Sequence, residues 1–212
     1  MNLSNSRRFV KLCGQLLRKP RLIPSYLTTS LVRKSPLELQ LPWWSTDAIR
    51  AVEKLLTPST TVFEYGTGGS TLFLARRTLT VKCVEDDEGW LQSTQDALDA
   101  MNLKNAKLCF EPYDFSNLND FEESSYLNVL DQSHDLIVID GQDNYHFEQS
   151  LSARTICFRH AQTLIEPGGV IVVDDSWRYP EIRKTSACKN LEIHESTGPG
   201  RRGVTSTDLH HY

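Results

Sequence analysis

The 212-residue sequence predicts an α/β fold: a doubly wound, seven-stranded, mostly parallel sheet with an antiparallel last strand, preceded by a helical arm. Three observations carry this. Short β-rich runs alternate with helical patterns from residue 45 onward. DLIVID (135–140) and GGVIVVDD (168–175) are continuous apolar runs, the pattern of strands buried on both faces. Glu64, Glu85, Glu111, Asp140 and Asp174 each close such a run, and open α/β sheets bind ligands beyond the carboxyl ends of their strands.

The elements follow in order. RRFVKLCGQLLRK (7–19) puts Phe9, Leu12, Cys13, Leu16 and Leu17 on one helical stripe, with Arg7, Arg8, Lys11, Arg18 and Lys19 beside it. Gly14 weakens that helix by about 1 kcal/mol relative to Ala, and Pro20 stops it. Ser45 or Thr46 caps a helix bearing Ile49, Val52, Leu55 and Leu56, ended by Pro58. TTVFEY (60–65) is the first strand, and GTGGS leads from it into the helical TLFLARR. VKCVE (81–85) is the second strand, and residues 88–101 repeat Trp90, Leu91, Ala97, Leu98 and Met101 at helical spacing. AKLCFE (106–111) is the third. A polar loop and a weak helix (121–130) precede DLIVID, and a long helix covers about 147–164. LEIHES (191–196) and VTSTDLHH (204–211) close the chain as two strands joined by GPGRRG.

Charge divides the chain. The net charge is -4, but residues 1–41 carry eight Lys/Arg and one Glu, hence +7, and residues 42–212 carry -11. A basic helical arm (1–41) and a main domain (42–212) are expected. No apolar run approaches the roughly 20 residues of a membrane-spanning helix. Five scattered cysteines without a C-x-x-C argue against a disulfide scaffold and point to a cytoplasmic protein. Lys11 and Gln15 interrupt any secretory signal. Docking on the acidic domain is the favoured reading of the arm, and peripheral membrane contact through residues 7–19 is the other. Nucleic acid is not expected as a partner, because the acidic domain would repel phosphates.

Chemistry concentrates at three strand ends. Glu64-Tyr65-Gly66-Thr67-Gly68-Gly69-Ser70 is a glycine turn opening a helix, whose free N–H groups would point at a ligand. Glu85 lies 19 residues after Gly66, where a carboxylate can accept both hydroxyls of a ribose. Asp87 and Glu88 suit the positive start of the next helix. Leu164-Ile165-Glu166-Pro167-Gly168-Gly169 turns into the fifth strand.

With these residues in view, the chain resembles the class I S-adenosylmethionine-dependent methyltransferases, within its small O-methyltransferase-like subgroup. VFEYGTGGSTLFLA, VKCVEDD, DLIVIDG and LIEPGGVIVVDDS match the family's motifs in order, over about residues 60–176. Ser70 stands where many members have a third glycine. The resemblance implies a Rossmann-like fold and an enzyme. It implies that Gly66, Gly68, Gly69 and Ser70 pass under the methionine part of the cofactor, that Glu64 positions its amino group, and that Glu85 holds the ribose. Asp114 is a candidate for the adenine amino group. Asp140 would lie beside the methyl group. The acceptor is expected to be an oxygen of a small molecule or glycan.

Two readings of proton removal stay open. In one, Asp140, Asp174 and Asp175 hold Mg2+, hard oxygen ligands matching the metal positions of catechol O-methyltransferase-like enzymes. In the other, His146 is the general base. Trp43, Trp44 and Trp177 border the expected pockets, and Arg201 and Arg202 are placed to meet an acidic acceptor. A nicotinamide-dependent oxidoreductase and a non-catalytic module recruited through the arm are the rival functions.

Overall fold

The computed structural model describes residues 5–31, 34–143, 152–201 and 203–212, with side chains from Phe9 onward. The arm holds α1 (Asn5–Arg18), a 3-10 turn, α2 (Ile23–Ser25) continued by a π-helical turn to Ser30, and α3 (Pro36–Leu39). Then come α4 (Thr46–Leu55), β1 (Thr61–Tyr65), α5 (Gly69–Ala75), β2 (Thr80–Glu85), α6 (Glu88–Ala100) and β3 (Ala106–Phe110). After a 3-10 turn follow α7 (Ser125–Asn128), β4 (His134–Ile139), α8 (Ala153–Ala161), β5 (Ile165–Val173), α9 (Pro180–Thr185), β6 (Asn190–Thr197) and β7 (Val204–His211).

The seven strands order as β3-β2-β1-β4-β5-β7-β6. β1 lies between β2 and β4, parallel to both, so the order reverses there and opens a crevice at the strand ends. β7 runs antiparallel between β5 and β6. The period of two along each strand builds two cores. Phe63, Tyr65, Ile137, Ile139 and Ile171 pack on one face with Ile156 and Phe158 of α8. Val62, Cys83, Val138 and Val172 pack on the other with Val52 of α4, Leu72 of α5 and Leu98 of α6. Each such buried side chain contributes about 2 kcal/mol.

Local chemistry sets the helix starts. Ser45 accepts from the Ala48 N–H at 3.3 Å, and Asp87 accepts from the Trp90 N–H at 2.7 Å. α3 and α9 are additional to the expected elements; both begin at a proline, and α3 carries a Ser35/Glu38 capping box. Their brevity hides any period. The expected weak helix over 121–130 is a 3-10 turn followed by α7. β5 starts at Ile165 rather than 168, so Pro167-Gly168-Gly169 lies inside the strand. The β4–β5 register shifts there, and Gly169 admits no side chain: a Cβ would stand 2.8 Å from the Asp135 carbonyl. Only the 153–161 portion of the long helix expected over 147–164 falls among the described helical residues.

The arm docks on the domain. α1 packs on β6 and β7 with Leu12 buried, and Leu22 is buried beyond it. Lys11 pairs with Glu195 and Lys19 with Asp47, each at 2.7 Å.

Candidate active site

Glu64 sits on the α5 side of β1 and is fully enclosed. The Ser70 hydroxyl donates to one of its oxygens and the Thr71 hydroxyl to the other, the latter at 2.7 Å. Burial pushes its pKa up to about 8, against the lowering by those two hydroxyls. Thr71 also accepts from the Gly68 N–H at 2.9 Å, so strand, turn and helix are tied by one relay. The turn itself needs glycine. Gly66 and Gly68 have φ of 95° and 142°. A Cβ on Gly66 would lie 3.0 Å from the Gly141 backbone, which enters from the end of β4. Gly69 is crowded by the Pro36 and Leu41 carbonyls, so residues 36–41 run over the start of α5.

Glu85 closes β2 and reaches back to the same turn. One oxygen accepts from the Thr67 N–H (3.0 Å) and hydroxyl (2.7 Å). The other accepts from the N–H groups of Asp86 (3.1 Å) and Asp87 (3.3 Å). Burial raises its pKa against these hydrogen bonds. The Trp90 indole donates to the Thr67 carbonyl at 2.7 Å and walls the turn at Gly68.

Across the crevice, Asp140 extends β4, its N–H bonding the Tyr65 carbonyl at 3.1 Å. Its carboxylate accepts from the Trp44 indole at 3.1 Å and pairs with Arg154 at 3.2 Å. Arg154 also holds the Gly141 carbonyl (2.9 Å) and the Asp174 carbonyl (3.2 Å). Arg201 pairs with Asp174 at 3.1 Å and Asp175 at 3.3 Å. β7 completes the cluster: Thr207 donates to Asp174 (2.8 Å) and Thr205 to Asp175 (3.0 Å). Three carboxylates thus face the guanidiniums of Arg154 and Arg201, with Arg178 reaching Asp175 at 3.7 Å. Burial raises the Asp174 pKa well above the carboxylate range, with Asp140 and Asp175 adding to it and Arg201 and Arg154 opposing. Asp175 is held low despite burial, by Arg201, Arg154 and Arg178. Of the three side chains, Asp140 is the most open, at 22% exposure against 1% for Asp174.

This arrangement does not support the Mg2+ expectation. Asp140, Asp174 and Asp175 do converge, but on arginines. A divalent cation would have to displace Arg201 and sit beside Arg154. Among the described residues, no three His, Cys, Asp or Glu side chains form a metal-holding group.

The fold has counterparts among solved structures. An O-methyltransferase from Bacillus cereus in complex with S-adenosylhomocysteine superposes with a TM-score of 0.59 at 17% identity, covering 96% of this chain and 98% of that one. An rRNA methylase from Streptococcus thermophilus gives 0.53 at 13% identity, over 76% of this chain and 91% of that one. Precorrin 8w decarboxylase from Methanobacterium thermoautotrophicum gives 0.56 at 16%, over 80% and 92%. No protein-family model matches the sequence, and no curated protein does.

The chain has the class I methyltransferase fold. In this methyltransferase fold Glu64, Gly66, Gly68, Glu85 and Asp140 gather at the β1–β4 switch point. Asp114 stands apart, exposed, its carboxylate accepting from the Ser116 N–H at 2.9 Å in a local turn. His146 lies outside the described residues. Trp44 is buried under Asp140, whereas Trp43 is partly exposed with the Arg201 guanidinium 5.8 Å above its ring. Sequence reading missed Trp90, Gly141 and Arg154. Gly141 had a local signal, as the glycine of DLIVIDG. Arg154 had none, because only the helix packing of α8 turns it under the strand ends.

Proposed function

We propose that this protein is an S-adenosylmethionine-dependent methyltransferase. The observation that carries the reading is a glycine turn between two acids, Glu64 and Glu85, at the switch point of the β3-β2-β1-β4-β5-β7-β6 sheet. The residues fit the cofactor. Gly66 and Gly68 keep the turn bare, and the Thr67 hydroxyl on Glu85 is a partner that a ribose hydroxyl can replace like for like. Glu64, enclosed and without a cationic partner among the described residues, suits the cofactor's ammonium group. When bound, S-adenosylmethionine supplies an electrophilic methyl carbon on a sulfonium.

The chain's own task is to hold the acceptor and take its proton. Asp140 is placed for that at the crevice floor. Burial raises its pKa, which makes it a better base, while Arg154 and the Trp44 indole fix its orientation. The arginine-paired cluster supports a reaction without a bound metal. A small-molecule or glycan oxygen is the acceptor we favour; the O-methyltransferase neighbour supports oxygen, and the rRNA methylase neighbour makes RNA the acceptor to test against it.

Calorimetry tests the reading. S-adenosylhomocysteine should bind and NAD should not. Glu85→Ala should weaken binding at least tenfold. Unchanged affinity in that variant, in a protein that still melts cooperatively, would remove Glu85 from the cofactor site.

A further inference from the structure

Docking uses only half of the arm's apolar stripe. At about 100° per residue, Leu12 and Leu16 face one side of α1, and Phe9, Cys13, Leu17 and Val10 form an adjoining arc. Leu12 is buried and Leu16 half-buried against the domain. Phe9, Val10 and Leu17 are 61%, 70% and 83% exposed. Beyond the 3-10 turn, Ile23, Leu27 and Leu31 recur every fourth residue and are also exposed. Cations border these rows. Arg18 is exposed and pairs with no acid among the described residues, and Arg21 keeps 68% of its side chain exposed although it reaches Asp47 at 3.7 Å.

We propose that this outward face of residues 9–31 seats the protein on an anionic lipid surface. An occupant must meet both an apolar row and a surplus of positive charge, the arm carrying eight Lys/Arg against one Glu. A bilayer interface with acidic headgroups does both: the apolar side chains enter the acyl boundary and the cations meet the headgroups. A nucleic acid would satisfy the charge and leave the apolar row in water. A second copy meeting face to face would oppose like charges. The described helices are too short and polar to cross the membrane, so contact is peripheral.

The same arm touches the loop that supplies Arg201. The Gly200 N–H donates to the Thr29 carbonyl at 3.0 Å, and the Ser30 hydroxyl donates to the Gly198 carbonyl at 2.8 Å. A lipid-seated arm therefore holds the crevice rim close to the membrane, which suits an acceptor carried in or delivered from the bilayer.

Co-sedimentation of the 212-residue protein with vesicles tests this without cofactor, so its outcome is independent of the methyl-transfer reading. The protein should pellet with phosphatidylcholine vesicles containing phosphatidylglycerol, less so as salt rises, and remain in solution with phosphatidylcholine alone. The double variant Phe9→Glu, Leu17→Glu and the single variant Arg18→Glu should lower the vesicle affinity tenfold or more and about threefold, respectively, with an unchanged Tm because these side chains are exposed. Failure to pellet with the anionic vesicles, undiminished pelleting of the double variant, preferential binding of RNA, or concentration-dependent dimers in place of vesicle binding would each overturn the proposal.

Discussion

Single atoms decide much at the crevice. Gly141 meets Gly66 across the switch point, and a side chain there would collide with the Tyr126 hydroxyl. That hydroxyl is buried and has no hydrogen-bond partner among the described residues. Gly141→Ala should therefore cost about 2 kcal/mol through overpacking, while Tyr126→Phe should cost under about 0.5 kcal/mol. In the double variant the two should not add, since removing the hydroxyl relieves the clash. Urea denaturation of the four proteins checks this; full additivity would place the strain elsewhere. Glycine was legible in DLIVIDG as a residue type. Its clashing partner, Tyr126 in α7, was not.

At the scale of elements, the arm is held by burial more than by charge. Lys11→Ala should cost under about 1 kcal/mol, because the Lys11–Glu195 pair is largely exposed. Leu12→Ala should cost about 3 kcal/mol, since Leu12 is 2% exposed. Thermal melts of both variants separate the contributions, and equal effects would contradict it. Around β5 and β7 charge does matter. Arg201→Ala leaves Asp174 and Asp175 with less positive charge in a buried setting and should lower stability by about 2 kcal/mol. Millimolar Mg2+ should not shift the Tm of the unsubstituted protein; a clear rise would revive the metal reading.

For the whole molecule, buried titrating groups set the pH of maximum stability. Burial holds the His210 pKa down to about 4 from 6.5, so the unfolded chain binds the extra proton between those values and stability rises with pH. Glu64 acts oppositely. Between 4.5 and about 8 the folded state keeps a proton that the unfolded state releases, so its stabilising contribution is full below 4.5 and gone above about 8. Above pH 6.5 the histidine contribution is complete and only the loss remains. From these two groups stability in urea should stay level between about pH 4.5 and 6.5, where the two slopes cancel, and fall by a few kcal/mol at most toward pH 8.5, and Glu64→Gln should flatten that fall. A fall of the same size in the variant would assign it to other groups.

The strands, the glycine turn and the acids at the strand ends were legible because hydrophobic period and turn chemistry are local: each run of about six residues states its own burial. The sequence by itself determined the fold class and which residue types reach the crevice. Only the tertiary structure decided what those residues touch. Asp140, Asp174 and Asp175 read as a metal set until Arg154 and Arg201, brought in by α8 and the β6–β7 loop, took their charge. The arm's stripe read as one face until β6 and β7 covered half of it. Charge pairing and docking act through space between residues distant in the chain, and no local period encodes them.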